Sequence, residues 1–425
     1  VNERILKSPV YKSLVVTPGV YDVLTETDPT VHSFRRKLIG KAVSERSMRI
    51  FEPVMETQID IFLELLRDAS QNRTPVNMAT PITRLALDVV GLLAFGHQMN
   101  TQMDTRYRHF TDAQIIGNYI ANIFMQWPFV YQCGIVDLLE KIHPSPVLAY
   151  NRGIEEMIAG RVAEGKSVRH DLYSVVADEL NPKGDSLQDS DMWAEASFFL
   201  VAGADTVSTL LSAALFYLSR TPRAYERLAQ EVRSAFTAGS EIRGGRKLTS
   251  CEYLRATLDE ALRLCPPVPG TLWREVDPKD SKDPIVIDGH VIPPGVEFGV
   301  HTFSLHHNED IFPDAFAFRP ERWIKSETPP EEMKVMQEAF NPFSVGARSC
   351  AGKAMAYLES TVVMAKIFWY FDFEAVPGKL GQLGAGGPGM GLGREKADEF
   401  QIYDGGTAIR DGPNLILVPR KEPAL

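Results

Sequence analysis

The sequence predicts a mainly α fold with a small β region, carried as a single domain over residues 1–425. Three observations lead there. Apolar residues recur at helical spacing through most of the chain up to Gly378. One apolar run, Asp191 to Arg220, is long enough to form the central helix of a large fold. Short alternating runs, the mark of a small sheet, appear only late, at Pro284 to His301 and at Leu415–Val418.

In chain order, Arg46 to Arg67 places Ile50, Val54, Ile59, Phe62, Leu65 and Leu66 at roughly helical spacing. Ile82 to Phe95 is a second apolar stretch, stopped by Gly96. Phe110–Val130 and Ala149–Glu164 follow as helices. Thirty helical residues from Asp191 would span about 45 Å, with Asp189 and Ser190 offering an N-cap. A transmembrane span is the alternative for this run, but Asp205 near its middle is costly in lipid. Pro222–Phe236 and Cys251–Leu264 are further helices, and Ala351–Tyr370 is the last. The glycine-rich Gly378 to Gly393 lacks an entering strand and a following Gly-Lys-Ser/Thr. Phosphate binding is therefore not expected there, and a flexible surface loop is. No internal repeat or linker divides the chain.

Composition bounds the chemistry. The 425 residues are 44% hydrophobic and 24% charged, an ordinary globular balance. A net charge of −10 argues against nucleic acid as a general partner. The four cysteines, Cys133, Cys251, Cys265 and Cys350, show neither metal-clip spacing nor a disulfide framework, which fits a reducing compartment. The sequence begins at Val1 rather than a methionine and is expected to be the body of a longer chain.

Cys350 stands in the richest segment, with Phe343, Gly346, Arg348 and Gly352 around it. A cysteine just before a helix from Ala351 would be held as thiolate by the helix N-terminus, with amide N–H groups on the sulfur. Gly346 permits a tight turn. Gly352 lets a flat cofactor approach. Arg348 would pair with a cofactor carboxylate and Phe343 would cover the thiolate. The alternative is a buried structural cysteine, the usual fate of a free one.

This segment resembles the F-x-x-G-x-R-x-C-x-G haem-binding signature of the cytochrome P450 family and matches it at every fixed position. The resemblance extends over nearly the whole chain and is nearest to fungal microsomal members. It implies the P450 fold, haem b (iron protoporphyrin IX) with Cys350 as axial thiolate, and insertion of one atom of O2 into a small hydrophobic substrate. It implies electrons from NADPH through NADPH–cytochrome P450 reductase, a membrane-anchored full-length form on the cytoplasmic face of the endoplasmic reticulum, and secondary metabolism. Val1 falls near the family's B-helix, so the anchor and first elements are expected to be absent.

Ala202, Gly203, Ala204, Asp205 and Thr206 resemble the family's A/G-G-x-D/E-T motif. Thr206 is expected beside bound oxygen, Asp205 as the acid that resupplies it, and Gly203 as room for oxygen and substrate. The structural alternative is a threonine bonded back one turn and an aspartate paired with an arginine. Glu260 and Arg263, with Arg322 in Phe318–Trp323, resemble the family's structural triad. Arg274 and Arg348 match positions for the haem propionates. His32 to Arg36 resembles W-x-x-x-R with histidine for tryptophan, and suggests His32 and Arg36 as further clamps; a solvated basic face with Arg35 and Lys37 is the alternative. Lys37, Lys41 and Lys353 would form a basic face for the electron donor. The adjacent His306 and His307 point to opposite sides of almost any element, so they do not make a metal pair. Rival readings are a P450-fold isomerase or peroxygenase and a non-catalytic haem-binding fragment.

Overall fold

A computed structural model describes residues 4–15, 19–133, 146–165, 168–176, 191–279 and 284–420. Helices dominate, as expected. They are α1 (Pro29–Ala42), α2 (Glu45–Gln71), α3 (Ala79–Phe95), α4 (His109–Gln126), α5 (Pro146–Glu164), α6 (Asp191–Leu218), α7 (Pro222–Ala235), α8 (Glu252–Leu264), α9 (Pro330–Ala339) and α10 (Lys353–Tyr370), joined by shorter helical turns. The start of α1 has a local cause: the Asp28 carboxylate accepts from the Thr30 and Val31 amides, and Pro29 occupies the first turn. Gly96 ends α3 in the left-handed conformation, φ +57°. The N-cap suggested for α6 at Asp189 and Ser190 lies outside the described residues.

Strands are few and short. A three-stranded sheet runs in the order β1 (Ile5–Lys7), β3 (Arg274–Val276), β6 (Glu297–Phe298). A second has the order β2 (Val76–Asn77), β10 (Asn414–Pro419), β7 (Phe371–Ala375). Hairpins pair β4 (Ile285–Ile287) with β5 (His290–Ile292), and β8 (Tyr403–Gly405) with β9 (Thr407–Ile409). Asp288 and Gly289 turn the first hairpin with positive φ at both, as an Asp-Gly pair favours.

The core gathers on α6. Its C-terminal half, Val207 to Leu218, is buried throughout against α2, α3, α8 and α10. The run that passes for a membrane span by length is thus enclosed by other helices here. Arg35 ties α1 to the first turn of α6, at 2.8 Å from Asp191 and 3.2 Å from Glu195.

Three local expectations change. On α2 the buried stripe is Phe51, Met55, Ile59, Phe62, Leu63 and Leu66, while Ile50 and Val54 face solvent. Methionine, counted among the adaptable residues, supplies the turn that Ile50 and Val54 were expected to supply. The last helix begins at Lys353 rather than Ala351, with Gly352 at its N-cap. Gly378 to Gly393 is packed only in part: Gly381, Ala385 and Gly386 are buried, while Pro388 to Gly393 is exposed as the surface loop expected. It includes a short 3₁₀ helix, Gly378–Gln382, and a β-carbon on Gly381 would lie 1.7 Å from the Val376 carbonyl oxygen. Glycine serves close backbone packing there.

Candidate active site

Glu260 anchors the ground on which the site is built. It is fully buried and receives Arg263 Nη2 at 2.8 Å, Arg322 Nε at 3.1 Å, Trp323 Nε1 at 3.0 Å and the Arg319 amide at 3.0 Å. Its carboxyl is held below the usual carboxylate range: the guanidinium of Arg263 and the bonds to it outweigh burial, which alone would raise it. Arg263 also donates to the carbonyls of His306, Ala315 and Ala317. The triad read from sequence is therefore assembled, and Trp323 joins it.

His306 carries this lock toward the cysteine loop. Its Nε2 accepts from the Asn341 amide at 3.1 Å, two residues before Phe343. His307 packs its ring on Phe303, with ring centroids 3.9 Å apart, and bonds the Phe303 carbonyl through Nδ1. The two rings pack on different partners, His306 on Phe340 and His307 on Phe303 and Phe316. Burial, then Arg263, pushes His306 down to about 3, and burial pushes His307 down to about 4. The unfolded chain protonates such rings near pH 6.5 and the folded chain does not until far lower pH. Below about pH 6.5 the unfolded state binds more protons, so stability falls with pH toward those values. The urea midpoint is expected to be lower at about pH 5 than at about pH 7, with the gap narrowed in His307→Gln. An unchanged midpoint would mean that these rings do not stay neutral.

The cysteine loop closes through the Cys350 amide, which donates to the Phe343 carbonyl at 2.8 Å. Gly346 takes φ +75°, as a tight turn requires, and Ser344 takes φ +55°. Phe343 packs tilted on Tyr357 with ring centroids 5.1 Å apart, and the Lys353 ammonium lies 5.6 Å from the Phe343 ring centroid. Cys350 is exposed. Desolvation by the chain around it raises the thiol pKa, while the amides of Gly352 and Lys353 and the charge of Arg36 pull the other way. Residues 341–354 around it are exposed or half-buried, so the sulfur looks out on an open hollow.

Opposite walls are identifiable. Phe198 and Phe199 of α6 and Ala351 pack on the same small cluster, Val23, Ile39 and Val43. Beyond them Val201, Ala202, Gly203 and Thr206 are only half-buried, although they lie mid-way along the central helix. Thr206 Oγ1 donates to the Ala202 carbonyl at 2.7 Å. Asp205 receives Arg410 at 2.6 Å and the Thr407 hydroxyl. Both bonds of the structural alternative are thus made, and neither excludes a role for the pair in proton movement. Gly203 has a packing reason beside the one expected. A β-carbon there would lie 2.6 Å from Val90 Cγ2, so glycine lets α3 pack closely against α6.

A group of cations surrounds the hollow. His32, Arg36, Arg274 and Arg348 are joined by Lys7, which sequence did not single out. None of the five forms an ion pair among the described residues. Arg36 donates to the Cys350 carbonyl at 3.2 Å, and Arg348 to the carbonyls of Glu26 and Thr27. Arg274 donates to the carbonyl of its neighbour Trp273. Burial, then Arg274, lowers Arg348 to about 10. Burial, then Arg348, Lys7 and Arg36, lowers His32 to about 4. Lys7 is driven well down by burial, Arg348 and Arg274. The solvated-face alternative does not hold for His32 and Arg35, which are buried, the latter on carboxylates of α6. Lys37, Lys41 and Lys353 are exposed.

A ligand with a soft metal and two anionic arms would satisfy all of this. Cations left without counter-ions call for anions. Gly352, at φ −84°, has an ordinary conformation, and its missing β-carbon would meet only the Cys350 sulfur at 3.9 Å. Nothing in the protein itself requires glycine there, whereas a flat ligand against the loop would.

The family model described as Cytochrome P450 matches residues 3–394. The chain belongs to the cytochrome P450 family. P450 relatives span nearly all of it. A Cytochrome P450 monooxygenase of Gibberella zeae is 32% identical over 96% of this chain and 94% of its own length. The monooxygenase poxM of Penicillium oxalicum is 33% identical over 97% of this chain and 77% of its own. The monooxygenase apf7 of Gibberella fujikuroi is 31% identical over 98% and 81%. The chain is accordingly a P450 monooxygenase with the mainly α P450 fold, an oxidoreductase of a haem-thiolate family. Arg410, Thr407 and Lys7 escaped the sequence reading, since each reaches the site from a distant strand with no motif around it.

Proposed function

We propose that this P450 carries haem b on the Cys350 thiolate and inserts one oxygen atom from O2 into a small hydrophobic substrate of fungal secondary metabolism. The observation that carries the reading is the accessible cysteine set among cations without counter-ions, with the half-exposed middle of α6 also facing inward. Once bound, haem supplies the iron chemistry of oxygen activation, which a thiolate ligand favours. The chain's own part is to hold and to supply protons. Arg36, Arg274, Arg348 and His32 are the propionate partners. Phe343 shields the sulfur, and the Gly352 and Lys353 amides temper its charge.

On the distal side Thr206 spends its proton on Ala202, which leaves its oxygen to accept a hydrogen bond from water or substrate. Asp205, next along the helix, is gripped by Arg410 and Thr407 and lines a cleft of its own. It is the proton reservoir. Electrons come from NADPH through a reductase on the exposed face of Lys37, Lys41 and Lys353, with the full-length protein anchored at the cytoplasmic face of the endoplasmic reticulum.

The test is turnover under labelled dioxygen with NADPH and reductase. One labelled atom is expected in the product and NADPH consumption alongside it. Turnover with peroxide alone would instead favour a peroxygenase. Asp205→Asn is expected to lower product formation on the order of 10²-fold, the scale of positioned acid–base groups. The carbon monoxide band should survive it. Loss of band and activity together would make Asp205 a structural residue.

A further inference from the structure

A second cleft, of about 450 Å³, lies on the side of α6 where Asp205 points, walled by α3, α4 and the β9 strand with the residues after it. Its size suits a small molecule. Its charges balance, three arginines against three aspartates, but several of its buried or half-buried donors lack partners. Arg84 of α3 is half-buried on its wall and makes no ion pair and no side-chain hydrogen bond among the described residues. Gln114 of α4 is 5% exposed; its amide nitrogen lies beside the Tyr150 hydroxyl, which can take one of its two N–H groups and leaves the other to donate. Arg410 spends Nη1 on Asp205 and Nη2 on Ser208 and Thr83, yet its Nε is buried and unpartnered. All three are donors, and an acceptor-rich group would satisfy them.

The carboxylates nearby do not. Asp205 is taken by Arg410 and Thr407. Asp88, one turn on from Arg84, has its oxygens bonded by Thr101 and Gln102. Asp411 accepts from Asn77 and the Gly412 amide and is exposed. Asp112 is exposed at the rim and forms no ion pair among the described residues. Arg108, held on the Thr101 and Gln102 carbonyls, adds a second guanidinium to the wall near Arg84. Burial, then Arg108, lowers the pKa of Arg84 and outweighs the charge of Asp88, which raises it, so an anion in the cleft would act in the same direction as Asp88.

We propose that this cleft binds a small organic or inorganic oxyanion, carboxylate or phosphate, on Arg84, Gln114 and Arg410, apart from the haem site. Because Arg410 also grips Asp205, the bound anion touches the proton reservoir through one side chain. The experiment is calorimetric titration of the holoenzyme with succinate and, separately, inorganic phosphate, at an ionic strength held constant with chloride. Saturable binding of either is expected. Arg84→Gln should weaken it about tenfold or more, as loss of a charge-assisted bond does, with the carbon monoxide band intact. Gln114→Leu, close in volume, should weaken it less and checks the same wall without altering charge. Heats no different from chloride, or equal affinity in wild type and Arg84→Gln, would overturn the proposal. Binding of succinate alone or phosphate alone would support it and name the ligand's head group.

Discussion

Replacing Cys350 by alanine is expected to abolish the band near about 450 nm that thiolate-ligated haem gives when reduced under carbon monoxide. The protein should still fold. Cys350 lies exposed on the wall of the hollow, and substitutions at such positions usually move stability by about 0.5 kcal/mol or less. The other cysteines are internal controls. Cys265 is fully buried, with burial pushing its thiol up to about 12, and Cys251 is buried and pushed to about 11. Both pKa values suit neutral packing groups. Cys265→Ala should cost stability and keep the band, whereas Cys350→Ala should do the reverse. A band surviving in Cys350→Ala would remove the basis for the proposed ligation.

The second large effect is structural. Glu260→Gln keeps the shape of the side chain but leaves Arg263 and Arg322 buried without a counter-charge. Breaking a buried pair from one side costs about 3–5 kcal/mol, a large share of the roughly 5–15 kcal/mol that holds a typical domain. The expected result is a marked fall in soluble, haem-loaded protein and in its thermal midpoint. The damage should reach the cysteine loop, because Arg263 holds the His306 carbonyl and His306 holds the Asn341 amide. Arg49→Gln gives the contrast. Its bond to Glu45 is an exposed helical pair one turn apart, worth a few tenths of a kcal/mol in isolation. If Glu260→Gln were as stable as Arg49→Gln, the buried triad would not be holding this region.

These two predictions come from different depths of the sequence. Glu260 and Arg263 looked like Glu64 and Arg67 or Glu252 and Arg255, the same spacing on a helix. Only the surrounding motif chose among them, and burial explains the choice: the first pair is at 0% exposure while the Glu64–Arg67 contact, at 3.9 Å, is open to solvent. Helix positions were legible for a related reason. Periodic apolar residues decide a helix locally, as in α3 and α7, but the phase of the buried face can still be missed, as in α2, where Met48 and Met55 are core and Ile50 and Val54 are not. The short strands β1, β2, β8 and β9 have two or three residues each and no alternation to read.

By itself the sequence determined the cysteine loop, its turn at Gly346 and the long helix with Asp205 and Thr206, because each is a run of neighbours whose spacing carries its meaning. Only the tertiary structure decided what surrounds them. Arg410 reaches Asp205 across 205 positions of chain, and Lys7 joins Arg274 and Arg348 from a separate strand. Gly203 has a packing role that no local spacing announced, because Val90 of α3 lies against it. Charge and contact act through space, and over such separations no local pattern records which side chains will meet.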